Sequence, residues 1–189
     1  ATEISGEQWV SELSDLLDEG RVVAAEEVRR EFGTDKWHAS AMPDVVVHAE
    51  CREDVERTLR FASEKQIPVT TRGAGVGYVG GCVPVSGGIL LSVRRMNRIL
   101  EINPADGVIV VEPGVILNDL QERVRELGWY YPPDPASLKE CSIGGNIATN
   151  AGGPRCVKYG VTRNYVLGLE VVLPSGEVLE TGGRCHKNK

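Results

Sequence analysis

The sequence predicts an α+β protein of two lobes, a small βαβ lobe followed by a larger antiparallel-sheet lobe, and three patterns carry that prediction. Asp44 to His48 holds three consecutive valines, as a strand buried on both faces requires. Behind it Val55, Leu59 and Ala62 recur at helical spacing, and the β-type runs Val69 to Thr71 and Gly88 to Val93 follow. Downstream, apolar runs flank the turn formers of Asn103 to Gly107 and of Pro174 to Gly176, which read as antiparallel hairpins. The expected boundaries are a helical segment at 1–36, the first lobe at 37–93 and the second at 94–189.

Element by element, the chain opens with a helix. Ser5 and Gln8 fit a capping box, and Trp9, Val10, Leu13, Leu16 and Leu17 make an apolar stripe that Gly20 punctuates. A second helical segment is expected from Val22 to Phe32, with Gly33 at its C-cap. Trp9 and Phe32 read as core or docking residues. In the helix after the valine run, Glu53 and Asp54 occupy the first turn, where negative charge complements the helix dipole, and Pro68 closes the segment. Arg98 to Ile102 and Val108 to Glu112 pair across the first hairpin turn. Leu117, Leu120, Val124 and Leu127 then predict a third helix facing inward, stopped by Gly128. Val166 to Leu173 and Glu177 to Thr181 supply the last two strands.

The most informative stretch is PVTTRGAGVGYVGG, residues 68–81, with glycines at 73, 75, 77, 80 and 81. Bare backbone of this kind lets a ligand approach closely, and successive N–H groups in an extended loop form an anion cradle. Each amide donating to a phosphate oxygen contributes about 1.5 to 3 kcal/mol, so several hold a diphosphate without a lysine. A plain glycine-rich turn is the alternative. Gly75, Gly77 and Gly80 also spell G-x-G-x-x-G, but the dinucleotide fingerprint needs a helix to start there. Pro84 and the pair Gly87 and Gly88 forbid one, so the loop is expected to run between strands without a helix. Arg94, Arg95 and Arg98 are either surface charges or phosphate neutralisers.

A second candidate region runs from Tyr130 to Gly160 and shows little helical periodicity. Pro132, Pro133 and Pro135 stiffen it, and Gly144, Gly145, Gly152 and Gly153 again permit close approach. Between them Ser142, Asn146, Thr149 and Asn150 offer donors and acceptors for a ring edge, a ribose or more phosphate. An Ω-loop that satisfies its own polar groups is the other reading.

Composition narrows the classes. With 27 acidic and 21 basic side chains the chain carries a net charge of −6, which argues against a general binder of nucleic-acid backbone. No apolar run is long enough to span a bilayer and no secretory leader is evident, so the expected location is cytoplasmic. Cys51, Cys82, Cys141, Cys156 and Cys185 are odd in number and contain no C-x-x-C pair, and reduced, packed thiols are expected. His38, His48 and His186 match no ligand spacing, so no metal site is expected.

Taken in order, PVTTRGAGVGYVGG, PPDPAS, CSIGGNIATNAGG, KYGVTRNYVLGLEVVLPSGEVL and TGGRCHKNK make the chain resemble the FAD-linked oxidases and dehydrogenases of the vanillyl-alcohol oxidase type. The branch is the one of glycolate oxidase D subunits and D-lactate dehydrogenases. The resemblance implies a two-lobed PCMH-type flavin domain with FAD lying extended between the lobes. It implies that Arg72, Gly73, Ala74, Gly75, Val76, Gly77 and Tyr78 wrap the pyrophosphate and that Pro133 and Asp134 sit near the cofactor. Ser142, Gly144, Gly145, Asn146, Thr149, Gly152 and Gly153 would line the flavin and ribityl side, and Gly160 and Val161 would complete the wall. Many relatives attach the flavin to a histidine of the first loop; Val76 stands at that place here, so non-covalent FAD is expected. Members of the family continue past this point into a cap domain that binds substrate, so the resemblance also implies an N-terminal piece of a larger enzyme. The expected chemistry is oxidation of a 2-hydroxy acid such as glycolate or D-lactate to the 2-oxo acid, with the flavin taking the hydride and the electron acceptor left open. A reductase of the UDP-N-acetylenolpyruvoylglucosamine type and a non-catalytic nucleotide-binding module are the alternatives. No catalytic residue is assigned within the chain.

Overall fold

The valine run forms the centre of a four-stranded sheet. The computed structural model describes residues 6–185, so Ser5 of the expected capping box and His186 in the tail lie outside the described residues. In chain order the elements of the first half are α1 (Gly6–Leu16), β1 (Val22–Val23), α2 (Glu26–Phe32), β2 (Val45–His48), α3 (Arg52–Lys65), β3 (Val69–Arg72) and β4 (Ile89–Ser92). The sheet order is β1-β2-β4-β3, with β2 and β3 both parallel to β4 and the two-residue β1 antiparallel to β2. Every residue of β2 and β4 is buried, which is why these segments read as continuous apolar runs.

Three expectations are corrected here. Val22 and Val23 pair with Val47 and Val46 as a strand, so the helix begins only at Glu26; two β-branched residues beside an available sheet edge favour the ladder over the first helical turn. On α3 the buried face is Asp54, Thr58, Phe61 and Ala62, rotated from the expected one, with Val55 and Leu59 half-buried. Asp54 turns inward because its Oδ2 accepts the Glu50 N–H at 2.9 Å and the Arg21 Nε–H at 3.0 Å, so the helix start is satisfied by a charged residue of its own first turn. Leu16 on α1 is exposed, while Trp9, Leu13 and Leu17 are buried.

The second half contains β5 (Ile99–Asn103), β6 (Val108–Val111), α4 (Leu117–Glu126), α5 (Ile143–Thr149), α6 (Cys156–Tyr159), a 3-10 turn at Thr162–Tyr165, β7 (Gly168–Val172) and β8 (Val178–Gly182). Its antiparallel part is two separate two-stranded sheets, β5-β6 and β7-β8. Gly107 takes a φ of 66° in the first hairpin turn, as the Asp106-Gly107 sequence demands. Along α4 the inward face is Leu117, Leu120, Gln121 and Val124; Leu127, expected inside, is exposed. The 143–149 and 156–159 segments, expected as loop, are short helices.

By internal contacts the chain divides into two units. One runs to Arg95 and takes in Val172–Val178; the other is Met96–Val171 with the residues from Leu179. The excursion of 172–178 is explained by the β7-β8 turn, where the Gly176 carbonyl accepts from Arg60 on α3 at 3.4 Å. Of the five cysteines, Cys141 is buried, Cys185 is exposed, and none is joined in a disulfide.

Glu112, just past β6, is 7% exposed and gathers three bonds from one residue. Its Oε2 accepts the Arg98 main-chain N–H at 2.7 Å, and its Oε1 accepts from Arg98 Nε and Nη2 at 3.1 and 2.7 Å. Burial pushes this carboxyl up, yet the hydrogen bonds and charge of Arg98 outweigh it and hold Glu112 below the ordinary value of 4.5. A depressed folded-state pKa adds stability that is present above the unfolded value and lost as pH falls through the folded one. Glu112→Gln is therefore expected to lower stability at pH 7 by about 1 to 2 kcal/mol, since Arg98 stays exposed, and to flatten the acid limb of a denaturation series run from pH 6 to below 4.5.

Candidate functional site

The glycine loop leaves the carboxyl end of β3 and must return to the start of β4, which runs parallel to it. Residues 73–88 make that crossing with turns and bends and no helix, as the prolines and glycines require. In consequence the loop's donors are not consumed by secondary structure. Among the described residues the N–H groups of Gly73, Gly75, Val76, Gly77 and Tyr78 meet no acceptor. Space matches: a Cβ built on Gly77 or Gly81 would touch nothing within 4 Å. At Gly77 φ is not positive, so neither backbone conformation nor packing asks for glycine there.

Arg72 supports this loop from within the chain. Its Nη1 donates to the Thr34 carbonyl at 2.8 Å and to Cys82 Sγ at 3.3 Å, its guanidinium lies over the Phe32 ring at 5.6 Å, and Nη2 fills the space beside Gly75. Phe32 in turn packs edge-on against buried His48. Tyr78 is 66% exposed and its ring stands 5.4 Å from that of Trp37. Arg95 and Arg98, weighed as phosphate neutralisers, are paired instead with Glu50 and Glu112.

In the second unit the predicted wall is gathered around α5. Gly144 donates to the Pro113 carbonyl at 2.8 Å, and a Cβ on it would lie 2.7 Å from Pro113 Cβ. Ser142 is buried at the helix start, Gly145 accepts from Thr149 Oγ1 at 2.9 Å, and Asn150 closes the helix in the left-handed region with Oδ1 accepting the Arg163 N–H at 3.0 Å. Thr149 thus spends its hydroxyl inside the helix. Asn146 differs: it is 3% exposed, and its Nδ2 is buried with no hydrogen-bond partner. A buried unsatisfied donor costs about 1 to 3 kcal/mol, so an acceptor supplied from outside recovers that amount.

Gly153 is brought against Asp134, and Gly152 lies beside Val161 and Cys156. Gly153 has a φ of 144°, and a Cβ there would sit 2.1 Å from the Asp134 carbonyl oxygen. Asp134 also pairs with Arg155 at 2.9 Å, and Gly160 and Val161 are held by Asn164, whose Oδ1 accepts the Val161 N–H at 2.9 Å. Sequence reasoning missed the residue that anchors the proline stretch. Gln121 on α4 is buried and donates to the carbonyls of Tyr131 and Pro133 at 2.9 and 2.7 Å. Its signal was a lone amide on an otherwise apolar helical face. Burial pushes the Tyr131 hydroxyl, beside Tyr165, up to about 12, so this wall carries no phenolate at ordinary pH. Among the described residues no group of three His, Cys, Asp or Glu is placed to hold a metal.

The fold is α+β, with a helix-free glycine loop at the end of a parallel strand in one unit and a glycine-rich segment carrying an unpaired buried amide in the other. The residues fit the cofactor: bare N–H groups suit a diphosphate and the Asn146 donor suits an acceptor on a heterocycle or ribityl chain. A family model described as an FAD binding domain matches residues 43–182. The chain is 42% identical over 169 residues to a D-lactate dehydrogenase of Anaerostipes hadrus, covering 88% of this chain and 35% of the relative. It is 45% identical over 148 residues to glycolate oxidase subunit GlcD of Bacillus subtilis, covering 78% and 32%. Among solved structures, 4-ethylphenol oxidase from Gulosibacter chungangensis matches with a TM-score of 0.79 and 34% identity, over 96% of this chain and 36% of that one. The chain therefore belongs to the FAD binding domain family, in the vanillyl-alcohol oxidase group, and its cofactor is FAD. It spans about a third of the length of the curated relatives it matches.

Gly153→Ala places a methyl on the Asp134 carbonyl in a backbone region that side chains avoid, so a loss of about 1 to 3 kcal/mol is expected. Thermal melts are expected to fall by roughly 2 to 4 °C per kcal/mol. An unchanged melting temperature would show that the 152–153 turn does not lean on Asp134.

Proposed function

We propose that this chain is the FAD-binding portion of a flavoprotein oxidoreductase that oxidises a 2-hydroxy acid of the glycolate or D-lactate type to the 2-oxo acid. The observation that carries the reading is the set of N–H groups of Gly73, Gly75, Val76, Gly77 and Tyr78 with no acceptor of their own, beside glycine positions where packing does not ask for glycine. On this reading the loop takes the diphosphate, and Ser142, Gly144, Gly145, Asn146 and the 152–153 turn serve the flavin and ribityl groups. Pro133, Asp134, Gly160 and Val161 complete the wall. Bound FAD supplies the hydride acceptor. The chain's own groups bind it, orient it and keep water from its polar edges. Val76 offers no nucleophile for covalent attachment, which supports non-covalent binding. The names of the D-lactate dehydrogenase and glycolate oxidase relatives support the substrate class. No residue of this chain is assigned to substrate binding or proton abstraction, and the electron acceptor is left open.

Two substitutions separate cofactor binding from folding. Gly77→Ala meets nothing in the fold and Asn146→Leu removes an unsatisfied donor, so neither is expected to lower the melting temperature of the apoprotein. Both are expected to weaken FAD by about tenfold or more, equivalent to about 1.4 kcal/mol, read by titration of flavin fluorescence. Equal affinity in wild type and both variants would remove these residues from the site. For the reaction, glycolate, D-lactate or D-2-hydroxyglutarate added to the FAD-loaded complete protein is expected to bleach the flavin's visible absorbance. Persistence of the oxidised spectrum with all three acids would overturn the assigned chemistry.

A further inference from the structure

Asp35 is 5% exposed, and its carboxylate accepts three main-chain N–H groups. Oδ1 takes those of Trp37 and Ala39 at 2.9 and 3.0 Å, and Oδ2 takes that of Gly80 at 3.2 Å. The first two bonds close a tight turn. Asp35 also donates its own N–H to the Ala39 carbonyl, Thr34 bridges to Ser40, and His38 is held at a φ of 67° inside the turn. A left-handed non-glycine residue persists only where its surroundings over-determine it, so the turn is a rigid body. Three contacts tie it to the glycine loop at different points. Arg72, at the loop's origin, donates to the Thr34 carbonyl; Trp37 packs on Tyr78; and Gly80, beyond the donor row, is held by Asp35.

A buried carboxylate near an anion site opposes binding by charge. It is retained because its lone pairs are occupied and because it does what a neutral side chain could not, accepting on both oxygens from two chain segments at once. Gly80 spends its N–H on Asp35 and serves as an anchor, while the N–H groups of Gly73, Gly75, Val76, Gly77 and Tyr78 are left for the ligand. We propose that Asp35 is the positioning residue of the glycine loop, fixing the 35–39 turn to Gly80 so that the diphosphate donors are aimed before any cofactor arrives. The proposal rests on the reading of this loop as a diphosphate site.

Asp35→Asn tests it, because Oδ1 can keep both turn bonds while the amide nitrogen faces the Gly80 N–H, donor against donor. FAD is expected to bind about tenfold or more weakly, with ADP, which carries the same diphosphate, losing affinity by a similar factor and riboflavin, which has none, unchanged. Wild-type affinity for FAD and ADP in the variant overturns the proposal, and so does an equal loss for riboflavin, which would mark a merely structural residue. Hydrogen exchange on the wild-type apoprotein decides the matter should the variant not fold or FAD not bind. Protection of the Trp37, Ala39 and Gly80 amides before cofactor is added supports a preset loop, and protection that appears only with FAD overturns it. Failure of wild-type protein to bind FAD would sink the functional reading and leave the exchange experiment intact as the test of the clamp.

Discussion

Parallel pairing of β3 with β4 is the constraint on which the rest of the first unit depends. A chain leaving the carboxyl end of one strand must travel the length of the sheet to enter its parallel neighbour, and folds usually cover that journey with a helix that satisfies its own backbone. Here residues 73–88 make the journey without one. Their donors are left to be met by side chains, by water or by a ligand. Asp35 meets one of them, at Gly80, while those of Gly73, Gly75, Val76, Gly77 and Tyr78 meet no acceptor within the chain. On the proposed reading the anion loop arises from topology and composition together, with the Arg72 guanidinium packed beside Gly75.

Glycine plays two separable parts in this molecule. At Gly88 and Gly153 a side chain would collide with a carbonyl oxygen at 2.2 and 2.1 Å, those of Pro68 and Asp134, so the fold itself excludes anything larger. Gly77 and Gly81 face open space and carry no such demand. The first kind holds strands and turns at close approach; the second is not required by packing. Sequence alone cannot sort one from the other, because both are written with the same letter.

That distinction marks how far the sequence could be read. The buried strands at 45–48 and 89–92 were plain, since continuous β-branched or aliphatic runs have few other homes, and the absence of a helix after β3 followed from Pro84, Gly87 and Gly88. The hairpin at Asp106-Gly107 was equally legible. Val22 and Val23 were misread because a two-residue strand has no period of its own and exists only by pairing with β2. Ile143–Thr149 was missed because two glycines in seven residues argue against a helix that Pro113 and the Ala151 to Thr162 bonds impose from outside. The site's glycines and polar wall could be named from their motifs, but their supports could not. Asp35 reaches Gly80 and Gln121 reaches Pro133, 45 and 12 residues away, and no local pattern names such distant partners.

The orphan amide of Asn146 connects stability to binding. Leaving a buried donor unpaired costs the folded chain about 1 to 3 kcal/mol, a large share of the 5 to 15 kcal/mol by which domains are stable. Packing could have removed that cost with an aliphatic residue of the same shape. The contrast with Thr149, Asn150 and Gln121, whose side chains all bond within the protein, supports the proposal that the acceptor for Asn146 belongs to the cofactor. On the proposed reading, an acceptor brought by the cofactor returns the cost of the Asn146 donor on binding, so that part of the binding energy goes to a molecule that presents an acceptor there.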